Sequence, residues 1–142
     1  MSNIDNPTRF TRGIIVLIAV VQVILGVIFV TAPHAFAGSL GLAPTPGWTD
    51  WMFAQFGARA LGFAYGMLLV LKDARRHVGW IRAMIGVQVI DWIGTVLALA
   101  AGKVTLAQVT TAPIFPILFV IVLALELRRQ ARSNSTVAAH AV

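Results

Sequence analysis

The chain of 142 residues is 58% hydrophobic and only 11% charged, with a mean hydropathy of +0.86, whereas soluble domains carry about a quarter charged residues. This composition excludes a soluble domain and a disordered chain, and the lack of cysteine excludes a disulfide scaffold and thiolate chemistry. The formal net charge is +6, but most of the basic residues flank apolar stretches, so they indicate lipid headgroups and not nucleic acid.

Four apolar stretches are long enough to cross a bilayer, since a helical span needs about 20 residues. They predict an all-α polytopic membrane protein with a single four-helix transmembrane domain over residues 1–130. The tail, residues 131–142, lacks apolar periodicity and is expected to be a disordered cytoplasmic segment. The predicted spans cover residues 13–30, 52–71, 80–101 and 105–127.

The first span is apolar all round and holds a single strongly polar residue, Gln22. In the loop that follows, the apolar run of residues 33–42 predicts a short helix at the outer membrane surface. The fourth span contains Pro113 and Pro116, each of which removes a backbone donor, so a kink or a non-helical entry is expected near Thr110.

Basic residues predict the orientation of the spans. Nine lie on the side of the N-terminus, the loop between spans two and three and the tail, whereas the opposite side has only Lys103. The positive-inside rule therefore places both termini in the cytoplasm, as in a multi-pass protein of the bacterial inner membrane. The nine are Arg9, Arg12, Lys72, Arg75, Arg76, Arg82, Arg128, Arg129 and Arg132.

Spans one and three share a sequence pattern. The tetrapeptide Val-Gln-Val-Ile occurs at residues 21–24 and again at 87–90, and Gly13 matches Gly79 at the same spacing. Both spans run outward, so two hairpins related by an axis along the membrane normal would explain the match. Chance similarity between two Val/Ile-rich spans explains it equally well.

Two charged residues lie inside predicted spans, where charge is costly. Arg59 in span two and Asp91 in span three lie at similar depth, and the short loop between these spans makes them antiparallel neighbours. We therefore expect an ion pair with an N to O distance within about 4 Å. Five further residues are expected to complete this polar centre: Gln22, Gln55, Tyr65, Gln88 and Thr95.

The polar centre has two interpretations. As a structural feature it holds the bundle together, because interhelical polar contacts contribute about 0.6 to 2 kcal/mol each. As a functional site it binds a ligand or a proton, because ionisable residues in spans often mark a pathway. Glu126, in contrast, lies at the membrane boundary, where a solvated pair with Arg129 is expected.

Small residues recur at four-residue spacing on two spans, which allows close backbone approach within one bundle or between two copies. No catalytic motif or metal-ligand spacing occurs in the sequence, and its three histidines lie apart, so we expect no enzyme activity, no catalytic residue, no cofactor and no metal. The small residues are Ala58, Gly62 and Gly66 on span two and Gly94, Ala98 and Gly102 on span three.

Short segments around the first outer loop resemble the DoxX-like group of small four-span bacterial membrane proteins. They are residues 32–36 (APHAF), 40–42 (LGL) and 56–62 (FGARALG), and the resemblance covers residues 10–127. It implies a four-helix integral membrane protein, in some relatives associated with redox or quinone-linked complexes.

Three functions are compatible with these features. The first is a non-enzymatic membrane protein that binds a lipid-like ligand or a membrane partner, including a second copy, at the Arg59 and Asp91 centre. The second is a small proton-coupled exporter that acts as a dimer, in which Asp91 carries the proton. The third is a subunit of a membrane redox complex whose partner supplies every cofactor.

Overall fold

The computed structural model describes residues 7–139, and all regular structure in this part of the chain is helical. Three of the helices, α1, α3 and α4, are long and apolar enough to cross a membrane. The prediction of an all-helical chain with several helices of membrane-spanning length is confirmed for the described residues. The helices are α1 Arg9–Thr31, α2 Pro33–Ser39, α3 Thr49–Lys72, α4 Val78–Ala100, α5 Leu106–Val109 and α6 Phe115–Ala139.

Helix ends follow from local sequence signals. The Thr8 hydroxyl accepts a hydrogen bond from the Thr11 backbone N–H at 3.1 Å and caps α1. Helices α2 and α4 each end in a Schellman motif, with Gly41 and Gly102 at φ +68° and +65°, a conformation that glycine adopts without strain. The expected short helix after the first span is therefore present as α2.

The predicted fourth span is not one continuous helix. Helix α5 ends at Val109, turns occupy residues 110–114, and α6 begins at Phe115. The expected non-helical entry is confirmed, and Thr110 lies there at φ +50°. Pro116 is accommodated in the first turn of α6, where its missing N–H has no helical partner to lose.

The prediction of a disordered tail is wrong for residues 131–139. Helix α6 continues through them to Ala139, because a helix that has already formed extends at little cost through residues of moderate helix propensity. The last part of the predicted tail, residues 140–142, lies outside the described part of the chain.

Two helix pairs make up the bundle: α1 packs mainly on α3, and α4 packs mainly on α6. Helices α1 and α3 approach closely at Gly26 and Gly57, where a Cβ added to Gly57 would lie 2.7 Å from the Gly26 carbonyl oxygen. Of the small residues predicted to permit close packing, Gly66 does so, against the ring of Trp80. At Gly62 and Gly94 an added Cβ would meet nothing within 4 Å.

The packing divides the bundle into two ends. We call the end that contains the start of α1 and the loop of residues 73–77 the closed end, and the end with α2 and α5 the open end. The core cluster lies toward the closed end, and no residue of α4 after Gln88 is buried. The core cluster comprises Ile15, Ile18, Ala19, Met67, Val70, Ala74, Ile81, Met84, Phe119 and Leu123.

The sequence match between spans one and three extends into the structure. The starts of α3 and α6, at Thr49 and Phe115, are separated by the same spacing as the matched tetrapeptides, and each pair consists of two long helices joined through a segment with a short helix. Ile15 and its counterpart Ile81 are both in the core. Gln22 and its counterpart Gln88 both line one cavity of about 460 Å³. These correspondences in packing favour a true repeat over chance similarity.

Candidate functional site

The open end contains a cavity of about 460 Å³, which we call the chamber. Helices α1, α4 and α6 form its walls, and residues of α2 and α5 with their adjoining turns cover it. This volume lies within the range typical of small-molecule sites, about 300 to 1,000 Å³. Most of the lining is apolar, from Ile18, Val21, Leu25, Phe36, Leu40, Leu42, Val104, Val109, Ala112, Phe115, Pro116 and Phe119.

Polar side chains from α1 and α4 also line the chamber. Gln22 comes from α1, and Gln88, Asp91 and Thr95 come from one face of α4. The Thr95 hydroxyl donates to the Asp91 backbone carbonyl at 2.8 Å, so it is used within its own helix. Gln88 is buried and donates only a weak bond to the Met84 sulfur at 3.4 Å. The amides of Gln22 and Gln88 and the Asp91 carboxylate therefore remain able to bind a ligand.

Helix α5 is tied to the opposite side of the chamber roof through Gln108. The Gln108 side-chain oxygen accepts a hydrogen bond from the Thr105 backbone N–H at 2.9 Å in a capping box. The Gln108 amide nitrogen donates to the Gly41 carbonyl at 3.0 Å. Below this contact, the Trp92 indole N–H donates to the Pro113 carbonyl at 3.0 Å. Two side-chain hydrogen bonds thus fix the segment between α4 and α6.

Thr110 lies on the chamber wall with a backbone conformation that β-branched residues rarely adopt, φ +50° and ψ −108°. Such a conformation costs about 1 to 3 kcal/mol and persists only where its surroundings enforce it. The strained residue is therefore located at the chamber, where strain of this kind often accompanies a functional constraint.

A second cavity, of about 300 Å³, lies between α3 and α4 with α1 as its floor, and we call it the cleft. Arg59 lines it from α3 and Asp91 from α4. Toward the closed end, the rings of Phe63 and Trp80 meet edge to face with centroids 6.2 Å apart. Phe56, which also lines the cleft, has 52% of its surface exposed, so the cleft opens sideways from the bundle.

The predicted ion pair between Arg59 and Asp91 is not formed, and that prediction is wrong. Among the described residues, ion pairs within 4.0 Å join His34 to Asp50 and Glu126 to Arg129. Arg59 and Asp91 lie at matched depth, equally far along their helices from the 73–77 loop. However, α3 packs mainly on α1, so the cleft separates the two side chains.

The structure divides the predicted polar centre into three groups. Gln22, Gln88, Asp91 and Thr95 line the chamber, and Arg59 lines only the cleft. The remaining two, Gln55 and Tyr65, are exposed and line neither cavity. Tyr65 follows Arg59 at a spacing that turns it by about 240° around the helix.

The chamber and the cleft meet at shared lining residues. Gln22, Leu25 and Asp91 line both cavities. Asp91 therefore lines both the mostly apolar chamber and the cleft, whose other wall carries the Arg59 guanidinium.

Sequence reasoning missed three features outside this centre. The strained Thr110 carried no sequence signal, because turn conformation depends on the whole segment. Glu126 does pair with Arg129, at 3.3 Å, but the predicted solvation is wrong, because Glu126 is only 3% exposed. It also accepts a bond from Gln130 at 3.1 Å, where α6 turns its polar side into the bundle.

His34 is the third feature, since its side chain is exposed but not isolated. Its Nε2 lies 2.5 Å from a carboxylate oxygen of Asp50, and its Nδ1 lies 3.3 Å from the Thr45 hydroxyl. These contacts tie α2 to the first turn of α3 at the open end.

Comparison of the chain with protein-family models, with curated proteins and with solved structures finds no match. Within the described residues, no cluster of three His, Cys, Asp or Glu side chains has the arrangement of a metal site.

Proposed function

We propose that the chain is an integral protein of the bacterial inner membrane with four spans and both termini in the cytoplasm. The fourth crossing consists of the apolar part of α6, which rises about 20 Å over residues 115–127, together with the segment of residues 105–114. The supporting observations are three further helices of spanning length and the excess of basic residues at the closed end. In this topology α2 lies at the outer surface.

Single-cysteine variants test this topology, because the chain has no native cysteine. Ala43→Cys, between α2 and α3, should react in intact cells with a maleimide that crosses the outer but not the inner membrane. His77→Cys, in the loop between α3 and α4, should react only after the cells are lysed. The reverse pattern contradicts the orientation.

We further propose that the protein is not an enzyme and binds a lipid-like ligand in the chamber. The observation that carries this proposal is a mostly apolar cavity of about 460 Å³ whose lining includes the polar side chains of Gln22, Gln88 and Asp91. Pockets with this combination of apolar lining and few polar groups are typical ligand sites. An acyl chain satisfies the apolar walls, and a polar group at its end satisfies the amides and the carboxylate.

Adjacent residues of α4 offer a matched test. Thr95 lines the chamber, whereas Val96 is exposed and lines neither cavity. We expect Thr95→Trp to fill part of the chamber and strongly reduce the phospholipid that co-purifies after mild extraction, measured by native mass spectrometry. Val96→Trp should leave the amount unchanged. Equal amounts of tightly bound lipid in both variants would contradict a ligand in the chamber.

A second candidate function is a proton-coupled exporter that acts as a dimer. The observation that favours it is the location of Asp91 on both the chamber and the cleft, since proton-coupled transport requires an ionisable group in contact with the substrate path. Purified protein in liposomes should then show substrate-driven proton flux that Asp91→Asn abolishes. Unchanged flux in that variant excludes this function.

The resemblance to the DoxX-like group stays a prediction.

A further inference from the structure

We propose that the cleft between α3 and α4 is the headgroup site of the ligand and that it selects a zwitterionic phospholipid, with the phosphate at Arg59 and the ammonium at Asp91. This inference rests on the proposed function, because the apolar part of the same molecule occupies the chamber.

The first step of the argument is the charge distribution across the cleft. It has a guanidinium on one wall and a carboxylate on the other, at matched depth and without a direct ion pair. The Arg59 guanidinium carbon lies 5.9 Å from the ring centre of Phe56 on its own helix, a contact that leaves its donors accessible. Ionisable groups in spans are rare and normally paired, so a molecule that carries both charges satisfies both residues.

The second step excludes singly charged headgroups as the preferred ligand. An anionic headgroup at Arg59 meets the Asp91 carboxylate on the opposite wall, and a cationic headgroup at Asp91 meets Arg59. A guanidinium fits phosphate with two parallel donors, and a carboxylate accepts from an ammonium. A phosphate linked to an ammonium by a short spacer therefore complements the cleft.

The third step is access. The cleft opens sideways between Phe56 and Ile90, which are 52% and 69% exposed. It joins the chamber at Gln22, Leu25 and Asp91. A phospholipid that enters laterally can thus leave its headgroup in the cleft while an acyl chain reaches the chamber.

The test is a titration of purified protein with three lipids that share the same acyl chains: dioleoyl-phosphatidylethanolamine, dioleoyl-phosphatidylglycerol and dioleoylglycerol. Native mass spectrometry measures each affinity. We expect the wild-type protein to bind phosphatidylethanolamine more tightly than dioleoylglycerol by a factor of about ten or more, since one charge-assisted contact alone supplies about tenfold and the headgroup makes two. Phosphatidylglycerol should bind more weakly than phosphatidylethanolamine because Asp91 repels it.

Variants assign the two charges. Arg59→Gln should weaken both phospholipids, but phosphatidylethanolamine should still bind more tightly than phosphatidylglycerol because its ammonium still contacts Asp91. Asp91→Asn should weaken phosphatidylethanolamine and make the two phospholipids equal. The exchange of both, Arg59→Asp with Asp91→Arg, should restore the preference for phosphatidylethanolamine. Lys72→Gln, a control on the same helix outside both cavities, should match the wild-type protein.

Two outcomes overturn the inference: equal affinity of the wild-type protein for all three lipids, or an affinity for phosphatidylethanolamine that neither Arg59→Gln nor Asp91→Asn lowers. The proposed function survives either outcome if Thr95→Trp still abolishes dioleoylglycerol binding. If the wild-type protein binds none of the three lipids, the proposed function itself fails.

Discussion

Replacing Gly57 by alanine tests the backbone contact that holds α1 against α3. A Cβ at Gly57 would lie 2.7 Å from the Gly26 carbonyl oxygen and the same distance from the Val30 side chain. The carbonyl cannot rotate away within a helix, so α1 and α3 must separate by about 0.7 Å to reach an ordinary contact of 3.4 Å. Overpacking of this kind costs about 1 to 3 kcal/mol.

Gly62→Ala is the matched control on the same helix. Its Cβ meets nothing within 4 Å, so this variant has only the gain in helix propensity, about 1 kcal/mol. Both variants share that gain, and the difference between them isolates the contact. We expect Gly57→Ala to unfold more easily than Gly62→Ala by about 1 to 3 kcal/mol.

The assay is reversible unfolding in mixed micelles, followed by circular dichroism as the fraction of denaturing detergent increases. Equal free energies of unfolding for the two variants would refute the close contact between α1 and α3. If both variants were less stable than the wild-type protein, the Gly62 face of α3 would also have to be closely packed, which the structure does not show.

Three further predictions concern the stability of α6 and the segment before it. Thr110→Gly should raise the free energy of unfolding by about 1 kcal/mol, because glycine adopts positive φ without strain. The control Thr111→Gly should lower the free energy of unfolding. A loss of stability in both variants would contradict a strained backbone at Thr110. Trp92→Phe removes the indole donor to the Pro113 carbonyl and should lower the free energy of unfolding by about 1 kcal/mol in the same assay. Glu126→Ala removes the acceptor of the buried Gln130 amide and should lower the free energy of unfolding by about 1 to 3 kcal/mol, and a neutral result would show that this end of α6 is hydrated.

Periodicity and composition were sufficient to predict most of the helical architecture. Apolar runs of about 20 residues require helices in a membrane, because every backbone donor and acceptor must be satisfied internally. The same reasoning located α2 and the break near Thr110. It failed for the tail, since polar composition does not prevent an existing helix from continuing.

The candidate site was predictable in its depth but not in its geometry. Sequence places Arg59 and Asp91 at the same level, yet it cannot show that Gly26 and Gly57 draw α3 toward α1 and open a cleft beside α4. Other chamber residues, such as Gln108, lie far along the chain from the residues that they contact, so spacing does not predict their place in the chamber. Spacing along one helix identifies a shared face, whereas the separation between helices is set by packing elsewhere.

The most direct test of the central claim is photolabelling with a phospholipid that carries a diazirine in one acyl chain, reconstituted with the protein in vesicles. After irradiation, labelled peptides are mapped by mass spectrometry. The account predicts labelling of chamber residues on α1 and α6, such as Val21, Leu25 and Phe119, that Thr95→Trp suppresses and Val96→Trp does not. Labelling confined to exposed residues such as Val20 and Leu97, and identical in both variants, would contradict a lipid in the chamber.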